Sequence, residues 1–230
     1  MSKKILITGT NTGIGFALCL EMLKMGYELA SWCRKPEYFS LLHAEFSKIS
    51  DNFHLFASDF EYDLKPTLEQ IDSSGFVPDV IFNNAAISVR DTGDQAKDQE
   101  GIERSMRVNL LAPMQICEHF APKMASLPWG RIINISSKMG SIGDNQSGGS
   151  TPYRTSKAAL NMYSVNLAHK LSETKIKVFT IHPGWIKTRM GGLMAPDEIE
   201  QCIPRILFTL SNDAEPFHGK FLFGNEILPW

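Results

Sequence analysis

A chain of 230 residues that is 43% apolar and 21% charged is long enough to bury a full hydrophobic core as one α/β domain. Its 23 lysines and arginines against 25 acids leave a formal charge of −2, which gives no electrostatic reason to expect a nucleic acid or an anionic membrane as partner. Cys19, Cys33, Cys117 and Cys202 form no CxxC, the six histidines show no HxxxH or HExxH spacing, and no apolar run is long enough to span a bilayer, so no disulfide framework, metal motif or membrane helix is expected.

The opening MSKKILITG passes from two lysines straight into a short apolar run, without the core and cleavage site of a secretory signal, and the expectation is a cytoplasmic protein that binds small molecules. KILIT, residues 4–8, has the composition of a strand, and TGTNTGIG, residues 8–15, leads from it into a helix over about 14–25. Gly9, Gly13 and Gly15 permit a tight turn, close approach of a pyrophosphate to the backbone, and close packing of helix on strand. The helix start then presents free N–H groups to an anion. A plain strand-to-helix connection is the alternative reading of the same residues.

The next strand, YELASWC, is followed by Arg34 and Lys35 with no acid. An acid there would grip the ribose hydroxyls of NAD, whereas a guanidinium suits the 2′-phosphate of NADP; a solvated basic turn is the bland alternative. A helix over 37–49 and the strand FHLFAS lead to Asp59, whose carboxylate either accepts from an adenine amino group or caps a loop or the following helix at 63–73. DVIFNN ends the fourth strand in Asn83 and Asn84, followed by Ala85. Small residues there leave room for a cofactor, and the amides equally suit ties between loops.

A helix over 101–126 contains Asn109, a mediocre helix former that either holds a proton-passing water or marks a kink. RIINIS then delivers Ser136 and Ser137 to the carboxyl edge of the sheet, where one hydroxyl can bond a carbonyl oxygen or both can satisfy local backbone. SIGDNQSGGS, residues 141–150, is a loop at the end of a sheet where ligands bind, hence a candidate wall of the site. Thr151 can cap and Pro152 can open a helix over 152–172, which puts Tyr153 and Lys157 on one face. An ammonium about 4 Å from a phenol favours phenolate by several kcal/mol at an effective dielectric near ~20. A chance pair on a wet helix face is the alternative.

IKVFTIH, residues 176–182, runs into a turn at Pro183 and Gly184, then Ile186 and Thr188, the latter placed to contact a nicotinamide carboxamide. RMGGLMAPDE forms either a partial lid or an ordinary loop before a helix over 196–211, and KFLF supplies the last strand.

TGxxxGIG, NNAA, the serine pair, YxxxK and PG-x-x-x-T occur in that order, and with them the chain resembles the short-chain dehydrogenase/reductase family over essentially its whole length. YRTSKAALN, HPGWIKT, DNQSGG and the closing LPW look like the sniffer/C-factor group of carbonyl reductases. The resemblance implies one NAD(P)-binding domain over 1–230: a Rossmann-type, doubly wound sheet of seven mainly parallel strands with helices on both faces.

It further implies NADP(H) as preferred cofactor, with NAD(H) as the alternative, and a small-molecule carbonyl substrate. Tyr153 would be the general acid, Lys157 would bind ribose and lower the tyrosine's pKa, Ser137 would polarise the carbonyl, and Asn109 would complete a proton relay. Gly9, Asn11, Thr12, Gly13, Ile14 and Gly15 would carry the phosphate turn, Arg34 the 2′-phosphate, and Asp59 the adenine. Asn83, Asn84 and Ala85 would lie beside the cofactor, and Pro183, Gly184, Ile186 and Thr188 would meet its nicotinamide end.

Ala86 stands where the family commonly has glycine, Thr12 where many NADP-preferring members carry a basic residue, and Ser137 lies 16 positions before Tyr153, a few more than usual. Two other functions fit the same motifs: a cofactor-binding sensor of C-factor type with little turnover, and an NAD-dependent alcohol dehydrogenase. The helices over 101–126 and 152–172 would pair in a homodimer or homotetramer.

Overall fold

Strands that are apolar on both faces need helices above and below them, and the computed structural model, which describes residues 2–230, builds that arrangement. Seven parallel strands, β1 (Lys4–Thr8), β2 (Glu28–Cys33), β3 (Phe53–Ala57), β4 (Val80–Asn83), β5 (Gly130–Ile135), β6 (Ile176–Ile181) and β7 (Phe221–Phe223), correspond to the seven expected runs. An eighth, β8 (Glu226–Ile227), folds back antiparallel on β7 across a turn in which Gly224 has φ 61°. Two residues are too few to show a period of two, so this strand leaves no pattern in the sequence.

The sheet order is β3-β2-β1-β4-β5-β6-β7-β8. β1 therefore pairs with β2 on one side and β4 on the other, and the chain reverses its direction of winding there. The crevice beyond the carboxyl ends of β1 and β4 is where an open α/β sheet accommodates a ligand.

The helices are α1 (Gly13–Lys24), α2 (Phe39–Phe46), α3 (Lys65–Ser73), α4 (Gln95–Met106), α5 (Ala112–Met124), α6 (Thr151–Lys170) and α7 (Ile199–Leu207). Alternation along β1 divides the core: Leu6 faces Phe120, Met124 and Leu167, while Ile5 and Ile7 face Leu18, Met22 and Ile206. The helix expected over 101–126 begins earlier because Asp94 caps it, its carboxylate accepting from Ala96 N at 3.1 Å and Lys97 N at 3.3 Å. It is also interrupted by a π turn at Arg107–Leu111. The last helix begins at Ile199, behind a capping box made by Glu198 and Gln201. No helix among the described residues is long and apolar enough to cross a membrane.

A buried chain of side-chain hydrogen bonds crosses the centre of the sheet into α6. Asn83 Nδ2 donates to Asn134 Oδ1 at 2.8 Å, Asn134 Nδ2 to Ser164 Oγ at 2.8 Å, and Ser164 Oγ to the Leu160 carbonyl at 2.7 Å. All of these residues are almost fully buried, so removal of one link leaves its partners unsatisfied. Asn134→Ala is expected to destabilise the protein by about 2 kcal/mol, measured as a lower urea midpoint at unchanged m-value; an unchanged midpoint would refute the claim that the chain is structurally committed.

Candidate active site

The amino end of α6 sets the position of the phenol. Ser150, with φ 51°, is the helix cap but makes no side-chain cap bond. The cap is supplied from elsewhere: the Asp91 carboxylate accepts from Thr151 N at 3.0 and 3.2 Å. Thr151 itself is thus the first helical residue and not the cap, because the left-handed turn at Ser150 points its N–H at the 88–91 loop. Val89 in that loop lies against Gly101 and Pro152, which fastens α4, the loop and the start of α6 together.

Tyr153 follows in the first turn and is partly exposed to the crevice, while Lys157, a turn later, is 2% exposed. Lys157 Nζ donates to the Ile135 carbonyl at 2.7 Å and sits 5.8 Å from the centre of the Tyr153 ring. The close approach of α6 to the end of β5 depends on Gly140, where a Cβ would lie 2.8 Å from two Lys157 atoms.

Burial pushes the Tyr153 phenol up to about 12, with hydrogen bonding to Ser137 acting the other way, and pushes Lys157 down to about 7. This departs from the picture of a cation that drives the phenol toward phenolate. The lysine lies over the ring, away from the hydroxyl, and desolvation weakens its hold on its own proton. In the cofactor-free protein Tyr153 is therefore a protonated donor.

The two serines separate clearly. Ser136 is buried and donates to Asn161 Oδ1 at 2.6 Å, so its hydroxyl proton is committed to the helix behind it. Ser137 is only partly buried, accepts from Met139 N at 3.1 Å, and lies beside Tyr153. Ser137 is the serine that offers a hydroxyl proton to the crevice.

Gly9, Asn11, Thr12, Gly13, Ile14, Arg34, Asp59, Asn84, Ala85, Ser137, Tyr153, Lys157, Pro183, Gly184, Ile186 and Thr188 all line one cavity of about 720 Å³. Three of the residues singled out in the sequence do not reach it. Gly15 is buried in α1, where a Cβ would overlap the Gly9 carbonyl oxygen and fall 2.5 Å from Asn84 Nδ2; its part in the turn is helix-on-strand packing. Asn83 faces the core and spends its amide on Asn134 and Cys117.

Asn109 lies in the π turn, with its amide tied to both backbone groups of Ile87 and to Ser156 Oγ at 2.8–2.9 Å. Ser156 Oγ in turn donates to the Tyr153 carbonyl at 2.8 Å. The side chain is therefore occupied in bracing the phenol's helix, which is the reason for the kink.

The glycine-rich end fits a dinucleotide. Gly9 and Gly13 have φ of 72° and 61°, and a Cβ on Gly9 would lie 2.8 Å from Ala85 Cα. Thr12 caps α1 with no side-chain bond, which leaves the first-turn N–H groups free of a side-chain acceptor and facing the cavity. Thr188 stands opposite Gly13 across the crevice, its hydroxyl accepting from Gly191 N at 3.1 Å. Arg34, exposed after β2, provides a cation at the far end of the cavity.

The segment after β6 closes on itself. Lys187 N donates to the Asp197 carbonyl at 2.8 Å and Asp197 N to the Trp185 carbonyl at 3.2 Å, while Arg205 grips Asp197 at 2.5 Å. Its outer part presents Leu193 and Met194, 93% and 85% exposed. Sequence reasoning did not single out His182, which lines the cavity, stacks on Phe223 at 5.6 Å, and has a buried Nδ1 with no partner among the described residues. Burial pushes its pKa down to about 4. The only hint in the sequence is a polar residue at the end of an otherwise apolar strand.

Comparison with known proteins agrees with this geometry. The family described as short chain dehydrogenase matches residues 3–198. C-signal of Myxococcus xanthus is 31% identical over 159 residues, which cover 66% of this chain and 92% of that protein. The carbonyl reductase Sniffer of D. melanogaster is 30% identical, with a TM-score of 0.86 and 100% of both chains covered. The NADPH-bound carbonyl reductase from chicken fatty liver is 28% identical, with a TM-score of 0.89 over 100% of this chain and 99% of that one.

Lys157 gives the site a pH signature. Below pH 7 its ammonium is charged in folded and unfolded chains alike and the cost of burying it is present in full. Between pH 7 and 10.5 the folded form has lost a proton that the unfolded chain still holds, so stability rises with pH over that window. Tyr153, shifted upward, subtracts stability only above pH 10. In the cofactor-free protein the stability of wild type relative to Lys157→Met is expected to climb from pH 7 to about 10, read from urea midpoints; a pH-independent difference would show that the amine is not desolvated.

Proposed function

The chain belongs to the short-chain dehydrogenase family, and we propose that this NADP(H)-dependent oxidoreductase works as a reductase of ketone and aldehyde carbonyls. The observation that carries the reading is the meeting, in one cavity, of the Ser137 and Tyr153 hydroxyls, the buried Lys157 amine and the glycine-rich turn. The similarity to the Sniffer and chicken carbonyl reductases supports the same substrate class.

When bound, the cofactor supplies the hydride that reaches the carbonyl carbon. Ser137 donates a hydrogen bond to the carbonyl oxygen and so stabilises the charge that develops there. Tyr153, kept protonated by its burial, transfers its proton to that oxygen. Lys157 binds the ribose hydroxyls and, with a pKa near 7, is poised to exchange a proton at neutral pH. Asn109 acts by position, through Ser156, on the first turn of α6.

The free N–H groups at the start of α1 hold the pyrophosphate, Arg34 the 2′-phosphate, and Asp59 the adenine. The 185–197 segment closes over the nicotinamide end as a lid. The protein is cytoplasmic, and exposed Ile102, Leu111 and Met162 on and beside α4 and α6 support pairing with a second copy.

Wild-type protein is expected to oxidise NADPH in the presence of simple aryl ketones and aldehydes, and Tyr153→Phe to lower kcat by about 10²–10⁴-fold while NADPH still binds. Equal rates in the two proteins would overturn the assignment. NADPH binding without turnover across a broad carbonyl panel would instead support a cofactor-sensing role.

A further inference from the structure

At the adenosine end of the cavity an acid sits where a phosphate is to be bound. Glu61 lines the cavity together with Arg34 and Asp59. Its place is fixed by local bonds. The Asp59 carboxylate accepts from Glu61 N at 3.1 Å, the Asp59 carbonyl accepts from Tyr62 N at 3.1 Å, and Phe60 is held edge-on to the buried Trp32 ring at 5.1 Å. Glu61 therefore cannot swing out of the site without unmaking that turn.

A fixed carboxylate there has two ways to oppose a 2′-phosphate: it repels the dianion, and it competes for the Arg34 guanidinium. The structure shows what prevents both. Arg104, reaching across from α4, grips Glu61 in a fork, with Nε to Oε2 and Nη2 to Oε1 both at 2.8 Å. Arg107 adds a long contact of 3.5 Å to the Glu61 carbonyl. The fork occupies both carboxylate oxygens, the geometry in which a guanidinium is most effective against a carboxylate.

We propose that Arg104 is a specificity-determining residue for NADP(H): by engaging both oxygens of Glu61 it leaves Arg34 available to the 2′-phosphate. Arg104 acts here as a positioning residue. The inference rests on the reading of Arg34 as the 2′-phosphate ligand. It places part of the cofactor preference on α4, an element distant in sequence from the strand ends that carry the nucleotide, and makes the preference a property of three charges in series.

The test measures binding of two probes to the cofactor-free, full-length protein by calorimetry: adenosine 2′,5′-bisphosphate and adenosine 5′-monophosphate, which differ only in the 2′-phosphate. Wild type is expected to favour the bisphosphate. Arg104→Gln is expected to reduce that preference about fivefold, in the range of a surface ion pair, with monophosphate affinity unchanged. The double variant Glu61→Gln/Arg104→Gln removes the pair altogether and is expected to restore the wild-type preference.

An unchanged preference in Arg104→Gln overturns the inference. So does a double variant as weak as the single one, because Arg104 would then act through its own charge. A wild type that does not discriminate between the probes, together with an Arg34→Gln variant that behaves like it, overturns the reading of Arg34 instead. Loss of monophosphate binding in Arg104→Gln also counts against the inference, since Arg104 would then be supporting the whole pocket.

Discussion

Lys157 is a long cationic side chain driven into the seam between a helix and the end of a strand, and most of the site depends on how it is accommodated. Its amine has one protein acceptor, the Ile135 carbonyl at 2.7 Å, and that contact forms only if α6 lies close to the end of β5. Closeness requires the absence of a side chain at Gly140 and the interlocking of Asn134 with Ser164 one turn deeper. The same proximity brings Ser137, just past the end of the strand, next to Tyr153. A buried amine is costly, and the fold tolerates it because the position it enforces is the position the chemistry needs.

The rest of the architecture is a series of braces on α6. Asp91 caps it from the 88–91 loop, Asn109 reaches Ser156 from the π turn, and Asn161 takes up Ser136 from the end of β5. Each brace uses a polar group that is buried or bound to backbone, and each comes from a different element. Polar groups in such places are stable only when satisfied, so they fix one arrangement of helix against sheet. The glycine-rich turn opposite is built by subtraction: Gly9 and Gly15 leave room for Ala85 and Asn84 to approach the backbone of β1.

The strand order and helix faces were legible because apolar runs and helical periods are properties of local sequence, as in KILIT or GRIINI. The main site residues were legible because spacing of four, or glycines in a turn, places atoms with little help from the rest of the fold. What sequence leaves open depends on partners remote along the chain. The choice between Ser136 and Ser137 is made by Asn161, 25 residues from the first of them. The cap of α6 comes from Asp91, 60 residues before Thr151. The sense of the phenol's shift is set by burial, which local spacing does not report. Asn83 and Asn109 have the residue types of a binding site and are used as struts, a distinction that only the three-dimensional neighbours draw.

The π turn at Arg107–Leu111 bears on how this region tolerates changes of length. A π turn holds one residue more than the α-helical turn it replaces, and each helical residue turns the remainder of its helix by about 100°. Deleting a single residue there would relax the backbone to an ordinary helix and yet rotate α5, with Ile116 and Phe120, out of register with the sheet. The stretch from α4 to α5 is thus frozen in residue number even where its side chains are exposed, whereas the 141–150 loop can gain or lose residues beside the same cavity. Variation in pocket shape has its natural outlet in that loop, and the helix interruption behaves as a length standard for the domain.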